Sequence, residues 1–260
     1  MAKDRTIKEV KEFLGDISQI IESIIEEKGN AKVLDAGCGY GIAMMGLIKR
    51  FGEKLEIVGY NYSRNDGTID NMISMTMDNN IFSKSEIMKL NNMPLIHYLD
   101  ASQSLPFSDN TFDTIYSVAS IYLYDDKINF LKECNRILNS KGIARIHPSF
   151  GPHFKDDDNY PIEYNEFWEI WHEGKKIKLW DYINRITGVD VVRGDKTLGD
   201  KRSFIEIKKQ DKLDFALEFV ASIDMNIIWT GWGGIKSIYT TQKSNAFTPR
   251  YKCTNQYKID

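Results

Sequence analysis

One short segment combines residue types that could hold a ligand through the main chain. Residues 33–41 run from an apolar stretch into Asp35, and three glycines follow at alternate positions, Gly37, Gly39 and Gly41. Glycine has no Cβ, so it adopts positive φ readily and lets a ligand approach the backbone closely. A helix that starts directly after such a turn offers unpaired N–H groups and a partial positive charge. The segment therefore predicts a strand, a glycine turn and a helix that together bind a carboxylate or phosphate group.

Two well-known nucleotide loops are excluded by their spacing. A nicotinamide-dinucleotide loop follows G-x-G-x-x-G, but Ile42 stands where its last glycine or alanine belongs. A P-loop ends in Gly-Lys followed by Ser or Thr, and no such ending follows Gly41. A glycine turn that binds no ligand remains the alternative.

Later residues complete an ordered set of motifs with this segment. Residues 57–63 look like the end of a second strand, and residues 99–107 with Phe112 and Asp113 look like an adenine-contacting turn leading into a fourth strand. The helix and turn before a fifth strand are represented by Glu133, Arg136, Leu138, Lys141 and Gly142. Together these motifs resemble those of the class I S-adenosylmethionine-dependent methyltransferases over residues 30–147.

The resemblance implies S-adenosylmethionine as cofactor and a role for each matching residue. Asp35 and the Gly37 backbone would hold the amino end of the methionine moiety. Gly39 and Gly41 would give the cofactor close approach to the loop. The remaining contacts would come from Asp100 and the Ala101 N–H at the adenine edge, Tyr62 against the adenine face, and the backbone near Ser117 at the sulfonium.

Asn61 departs from the family pattern. The family usually places Asp or Glu at the end of the second strand, where it accepts hydrogen bonds from the ribose hydroxyls. Asn offers one carbonyl oxygen and no charge. If Asn61 faces the ribose, Asn61→Asp should tighten cofactor binding, because charge-assisted hydrogen bonds are stronger.

Two residues at strand ends are candidates for acid–base chemistry on the acceptor. His147 ends the fifth strand, and an imidazole with its pKa near 6.5 is a competent base at neutral pH. Tyr122 follows the fourth strand and is better suited to orienting an acceptor, because a phenol has its pKa near 10. Both could instead be rim residues with no chemical part.

Alternation of apolar runs and helical patterns predicts the elements that position these residues. The strands are expected at 33–34, 55–59, 94–99, 112–118 and 143–146, and the helices at 7–25, 42–51, 126–138 and 211–223, with further strands at 235–241 and 250–259. This pattern is typical of βαβ units. The fold class expected is α/β, a Rossmann-like class I methyltransferase sheet with helices on both faces and an inserted cap after the fifth strand.

The chain is expected to form a single methyltransferase domain with four parts. These are an N-terminal helix at 1–29, a cofactor-binding core at 30–150, a substrate cap at 151–203, and a C-terminal helix and strands at 204–260 that complete the sheet. The cap is inferred from a long aromatic-rich connection, a feature that often serves as a lid or binding loop. Its expected acceptor contacts are Tyr164, Trp168, Trp171 and Trp180.

The composition of the chain limits the classes of binding partner that we expect. The net charge of −3 and the absence of a basic stripe argue against nucleic acid, and no apolar run is long enough to span a membrane. Three distant cysteines fit a reducing, cytoplasmic compartment, and no metal-ligand spacing is evident. We expect methyl transfer to an O, N or C atom of a small-molecule acceptor. A non-catalytic cofactor-binding protein and a protein methyltransferase are the alternatives, and the oligomeric state stays open.

Overall fold

The computed structural model describes residues 5–61, 68–98, 104–118, 120, 127–147, 169–172, 175–178, 188–194, 198–200, 202–211, 225–230 and 234–239. The helices in this part are α1 (Ile7–Leu14), α2 (Ile17–Lys28), α3 (Ile42–Phe51), α4 (Ile69–Asp78), α5 (Lys84–Ile87) and α6 (Lys127–Ile137). The first strands are β1 (Ala31–Ala36), β2 (Leu55–Asn61), β3 (Leu95–Tyr98), β4 (Phe112–Val118) and β5 (Leu138–His147). The later strands are β6 (Glu169–His172), β7 (Lys175–Lys178), β8 (Val189–Arg193), β9 (Ser203–Lys208), β10 (Met225–Thr230) and β11 (Gly234–Tyr239).

Seven of the described strands form one mixed sheet in the order β3-β2-β1-β4-β5-β9-β8. Strands β1 to β5 pair in parallel, whereas β9 runs antiparallel to both β5 and β8. The chain changes direction across the sheet between β1 and β4, because β2 and β3 lie on one side and β5 on the other. Open α/β sheets bind ligands at such a switch point, beside the carboxyl ends of the strands.

Helices cover both faces of the sheet. Val33 and Tyr116 belong to a core cluster with apolar residues of α1, α2 and α3. Their neighbours Leu34 and Ile115 are also fully buried but point to the opposite face, because side chains alternate along a strand. Helix α6 packs against β5 and β9. The Rossmann-like sheet expected from the sequence is confirmed.

The N-terminal apolar stretch forms two helices, so the prediction of a single helix over 7–25 is wrong. Gly15 ends α1 with φ of 72°, and the Asp16 side chain caps α2 by accepting a hydrogen bond from the Gln19 N–H at 3.1 Å. The apolar period continues across this break, which is why periodicity alone does not reveal it. The Gly-Asp pair is the local signal, since glycine favours helix ends and aspartate favours helix starts.

Strand β5 starts earlier than the sequence pattern indicates. Leu138 already pairs with Phe112, and the register then shifts before Ile143 pairs with Thr114. The predicted turn at 139–142 therefore lies inside the strand, so that prediction is wrong. Gly142 fits this irregular pairing because an added Cβ would lie 3.1 Å from the Phe112 carbonyl oxygen.

The chain divides into two compact units, and the single methyltransferase domain expected from the sequence stays a prediction. One unit comprises residues 1–155 and 183–215, and the other comprises 156–182 and 216–260. Strands β8 and β9 belong to the large sheet, and β8 lies within the range 151–203 expected for the cap. In the second unit, β6 pairs with β7 and β10 pairs with β11. The strand predicted at 250–259 and nearly all of the helix predicted at 211–223 lie outside the described residues.

Candidate functional site

The expected site lies where β1 and β4 end side by side. Asp35 is the next-to-last residue of β1, is only 5% exposed, and pairs across the sheet with Tyr116 of β4. The Tyr116 hydroxyl donates a hydrogen bond to Asp35 Oδ2 at 2.7 Å. This contact fixes the carboxylate orientation, because hydrogen bonds to an ionised acceptor are among the strong ones.

The glycine turn after β1 is held against the end of β2 by its own backbone. The N–H groups of Gly37 and Cys38 donate to the Tyr60 carbonyl at 2.9 and 3.1 Å, and the Gly41 N–H donates to the Cys38 carbonyl at 2.9 Å. The Gly37 N–H is therefore occupied by the protein itself. A cofactor ammonium group would need the Gly37 carbonyl, which is an acceptor and matches the role expected for this backbone.

Two of the glycines are required by protein packing as well as by backbone conformation. Gly37 has φ of 81°, and an added Cβ would lie 2.2 Å from the Ser120 Cβ. Gly41 is the N-cap of α3 in the left-handed region, and an added Cβ there would lie 2.8 Å from the Met44 methyl group and 3.0 Å from the Met72 sulfur. At these two positions, the groups that closely approach the glycine backbone are therefore neighbouring side chains of the protein.

Ser117 also makes its contacts within the protein. It is fully buried, and its hydroxyl lies 2.5 Å from that of Ser120. The Ser120 hydroxyl donates in turn to the Ala36 carbonyl at 2.9 Å. This chain of hydroxyls ties the turn after β4 to the end of β1. The expectation of a backbone contact near Ser117 with the sulfonium stays a prediction.

Asn61 is buried at the end of β2 and faces the glycine turn. Its side-chain amide makes two hydrogen bonds with the main chain of Gly39, one as acceptor and one as donor. The residue expected at the ribose is thus engaged with the loop itself.

A small cleft, open to solvent, lies beside these residues. It is lined by Arg5, Val10, Asp35, Gly37, Cys38, Ala43, Tyr116 and Val118. The lining thus includes one acidic residue, Asp35, and one basic residue, Arg5, together with apolar residues. This combination suits a zwitterionic amino-acid group, whose ammonium and carboxylate ends need charges of opposite sign.

Arg5 and Tyr116 are residues that the sequence analysis missed. Tyr116 could have been found from strand alternation, because it lies opposite Asp35 on a neighbouring strand. Arg5 carries no comparable signal, since it precedes the first helix and reaches the cleft through the packing of α1 against α3, β4 and β5.

His147 is buried at the end of β5, with 3% of its surface exposed. Its ring lies 4.7 Å from the Phe13 ring, measured between centroids, and Nδ1–H donates to the Ser203 carbonyl. Burial, together with the nearby Arg5 charge, lowers the pKa of His147 to about 4, against the opposing effect of the Ser203 hydrogen bond. A buried imidazole with this pKa accepts a proton poorly at neutral pH, so the geometry favours a packing role over a base.

Several predicted residues cannot be compared with the structure. Tyr62, Asp100, Ala101 and Tyr122 lie outside the described residues. The side chains of the proposed cap aromatics also lie outside them: Tyr164, Trp168, Trp171 and Trp180.

Among the residues that the structure describes, no group of three or more His, Cys, Asp or Glu side chains could hold a metal ion. In the same part of the chain, no helix combines the length and apolar character needed to cross a membrane.

Comparison with known proteins finds similarity to methyltransferases over part of this chain. Residues 34–146 match the family model described as a methyltransferase domain. Demethylmenaquinone methyltransferase from Bacillus cereus is 29% identical over 119 residues, which cover 46% of this chain and 45% of that relative. The chain therefore matches less than half the length of this curated relative.

Two solved structures with similarity to this chain are described as follows. A SAM-dependent methyltransferase from Aquifex aeolicus is 20% identical, covering 78% of this chain and 97% of that chain, with a TM-score of 0.37. A protein from Methanococcus maripaludis, described as a proposed S-adenosyl-L-methionine-dependent methyltransferase, is 21% identical, covering 82% and 98%, with a TM-score of 0.46.

The sheet order and the glycine turn define a Rossmann-like nucleotide-binding fold. The family match is more specific: residues 34–146 match the methyltransferase-domain model, in line with the resemblance to class I S-adenosylmethionine-dependent methyltransferases. The cofactor this family implies, S-adenosylmethionine, fits the residues present. Asp35 and Arg5 would supply charges for its amino-acid end, and Gly37 and Cys38 of the glycine turn line the same cleft.

Proposed function

We propose that this chain transfers the methyl group of S-adenosylmethionine to an O, N or C atom of a small molecule. The observation that carries the proposal is the cleft at the ends of β1 and β4, where Asp35, Arg5 and the glycine turn converge. The match of residues 34–146 to the methyltransferase family supports the same conclusion.

The bound cofactor would supply an electrophilic methyl group on a sulfonium. The task of this chain is then to hold the two reacting atoms in line, which can provide much of the rate enhancement in a displacement reaction. Asp35, oriented by Tyr116, would anchor the ammonium group, and Arg5 would balance the carboxylate. Val118 and Ala43 would exclude water from the apolar part of the same cleft.

The proposed acceptor class comes from the composition and from the relative's name. An acidic chain without a basic stripe is a poor match for nucleic acid. The Bacillus cereus relative is named for demethylmenaquinone, which is a small molecule. Demethylated quinones therefore belong in the first panel of acceptors, beside small amines, alcohols and carbon acids.

The test has two stages on the full chain. Calorimetry should first detect binding of S-adenosylmethionine and S-adenosylhomocysteine. Asp35→Asn should weaken both by about tenfold or more, because it removes a charged hydrogen-bond acceptor without changing the shape of the site. The second stage incubates the protein and cofactor with a metabolite extract and seeks a mass gain of about 14 Da per acceptor. The Asp35→Asn protein serves as the control for background methylation.

Each outcome distinguishes the proposal from its alternatives. A methylated small molecule formed by the wild type and not by Asp35→Asn supports the proposal. Cofactor binding without any product over the acceptor panel and the extract would indicate a non-catalytic cofactor-binding protein. Label transferred from the cofactor to protein bands alone would indicate a protein methyltransferase.

A further inference from the structure

The side chain of Asn61 and the main chain of Gly39 form a reciprocal pair. Asn61 Oδ1 accepts from the Gly39 N–H at 2.8 Å, and Asn61 Nδ2 donates to the Gly39 carbonyl at 2.7 Å. Asn61 is only 3% exposed, so water competes little for either hydrogen bond. A buried pair of this kind is costly to break, since each partner left alone loses its hydrogen bond.

Gly39 is the middle glycine of the turn and has φ of 57°. The residue before Asn61 holds the start of the same turn, because the Tyr60 carbonyl accepts from Gly37 and Cys38. The last two residues of β2 therefore fix the turn at consecutive points, Tyr60 through its main chain and Asn61 through its side chain.

We propose that Asn61 is a positioning residue that holds the glycine turn in its cofactor-binding conformation. Only a primary amide on a side chain of this length donates and accepts at the two required points. An ionised carboxylate could still accept from the Gly39 N–H but would place its second oxygen against the Gly39 carbonyl. This role rests on cofactor binding at the turn and is independent of the acceptor.

The pH dependence of Asn61→Asp separates this role from direct recognition of the ribose. The readout is the dissociation constant of S-adenosylhomocysteine from about pH 5.5 to about pH 8.5, taken relative to the wild type at each pH. At high pH the variant should bind about tenfold more weakly, because one hydrogen bond to the turn is replaced by repulsion. At low pH the protonated carboxyl can donate to the Gly39 carbonyl, so the deficit should shrink. If Asn61 instead binds the ribose hydroxyls, the charged form binds more tightly, and affinity rises with pH.

Asn71→Asp is the matched control because it makes the same chemical change at an exposed position of α4. Its affinity should follow that of the wild type at every pH. An Asn61→Asp protein that binds more tightly than wild type at high pH, or whose relative affinity falls as pH falls, would overturn the proposal. Absence of binding by the wild type would instead refute the cofactor site.

A neutral variant tests the same role without the added charge. Asn61→Ala removes both hydrogen bonds, so it should weaken S-adenosylhomocysteine binding to a similar extent at every pH. Amide hydrogen exchange of the ligand-free protein, read at residues 37–41, should accelerate in this variant, while exchange in the centre of β4 stays unchanged. Wild-type exchange at the Gly39 amide in a folded Asn61→Ala protein would contradict the role assigned to Asn61.

Discussion

Gly37 shows at the residue scale how closely the turn after β1 packs against the turn after β4. Gly37→Ala adds a Cβ that would lie 2.2 Å from the Ser120 Cβ, at a backbone φ of 81° that alanine adopts poorly. We expect it to lower the free energy of unfolding by about 3 kcal/mol, from overpacking and backbone strain together. Urea denaturation measures this change.

Gly29 provides the matched control for Gly37. Its φ of 85° imposes similar strain on alanine, but no atom lies within 4 Å of an added Cβ. Gly29→Ala should therefore cost only the conformational part, about 1 kcal/mol. Equal losses in the two variants would show that the contact with Ser120 has no energetic weight.

His147 is the residue at which sequence position and physical environment point to different roles. Its folded-state pKa of about 4 lies below the ordinary value of 6.5, so the unfolded chain binds the proton more readily. Stability should therefore fall as pH drops below 6.5 and continue to fall towards pH 4. From about pH 7.5 to about pH 5 the expected contribution of this residue is about 2 kcal/mol.

His147→Asn should remove that part of the pH dependence while keeping a donor towards the Ser203 carbonyl. Urea denaturation of the wild type and the variant at both pH values gives the comparison. Once an acceptor is known, the variant should also retain turnover within a few fold. A hundredfold loss of turnover at unchanged stability would restore His147 as a base.

At the element scale, an ion pair on helix α6 stabilises the loop before β4 through hydrogen bonds to its main chain. Arg136 donates to Glu133 at 2.7 and 2.8 Å, to the Leu105 carbonyl at 2.9 Å and to the Phe107 carbonyl at 2.8 Å. Glu133 accepts from the Leu105 N–H at 2.7 Å. Burial raises the pKa of Glu133, but these hydrogen bonds outweigh it and lower the pKa overall. The carboxylate therefore stabilises the fold above its ordinary pKa, and the contribution is lost as the pH falls towards its lowered value.

Arg136→Met should remove the ion pair with Glu133 and the hydrogen bonds to the loop. We expect a loss of about 2 kcal/mol in the free energy of unfolding at neutral pH, because Glu133 and two loop carbonyls lose a half-buried donor. Lys141→Met is the control, since its 2.5 Å pair with Glu27 joins side chains that are 71% and 55% exposed. Water screens that exposed pair, so its loss should change the free energy of unfolding much less. A larger loss for Lys141→Met than for Arg136→Met in urea denaturation would contradict this assignment.

The elements also show which features of the structure follow from short stretches of sequence and which depend on residues far apart in the chain. The strands around Asp35 and Asn61 could be predicted because buried parallel strands read as short apolar runs before glycine or polar residues. The break at Gly15 was missed because the apolar period continues through it. The hydrogen bonds from Asn61 to Gly39 join residues 22 positions apart, and their geometry depends on how β1 and β2 pair. No pattern in a single sequence indicates the direction in which an amide side chain at the end of a strand points.

At the scale of the whole molecule, the large sheet could be predicted to its fifth strand but not beyond. Strands β8 and β9 join the sheet antiparallel to one another, and β8 lies within the range expected for the cap. Antiparallel partners can follow irregular connections of any length, so the regular strand–helix alternation gives no information about them. The cleft depends similarly on long-range packing, because Arg5 and Asp35 approach it from different elements.

Cofactor binding should stabilise the unit that contains the cleft, which comprises residues 1–155 and 183–215. A ligand that binds only the folded state adds about 2.7 kcal/mol when its concentration is a hundred times its dissociation constant. At that excess, S-adenosylhomocysteine should therefore raise the urea concentration at the midpoint of unfolding, as reported by amide exchange in β1 and β4.

Adenosine at the same concentration is the control for the amino-acid end of the ligand, which Asp35 and Arg5 are placed to hold. Asp35→Asn should lose about half or more of the gain from S-adenosylhomocysteine, in line with its expected tenfold or greater loss of affinity. It should lose none of any gain from adenosine, because adenosine carries no ammonium group. An equal loss for both ligands would show that Asp35 supports the cleft as a whole and does not recognise the methionine moiety.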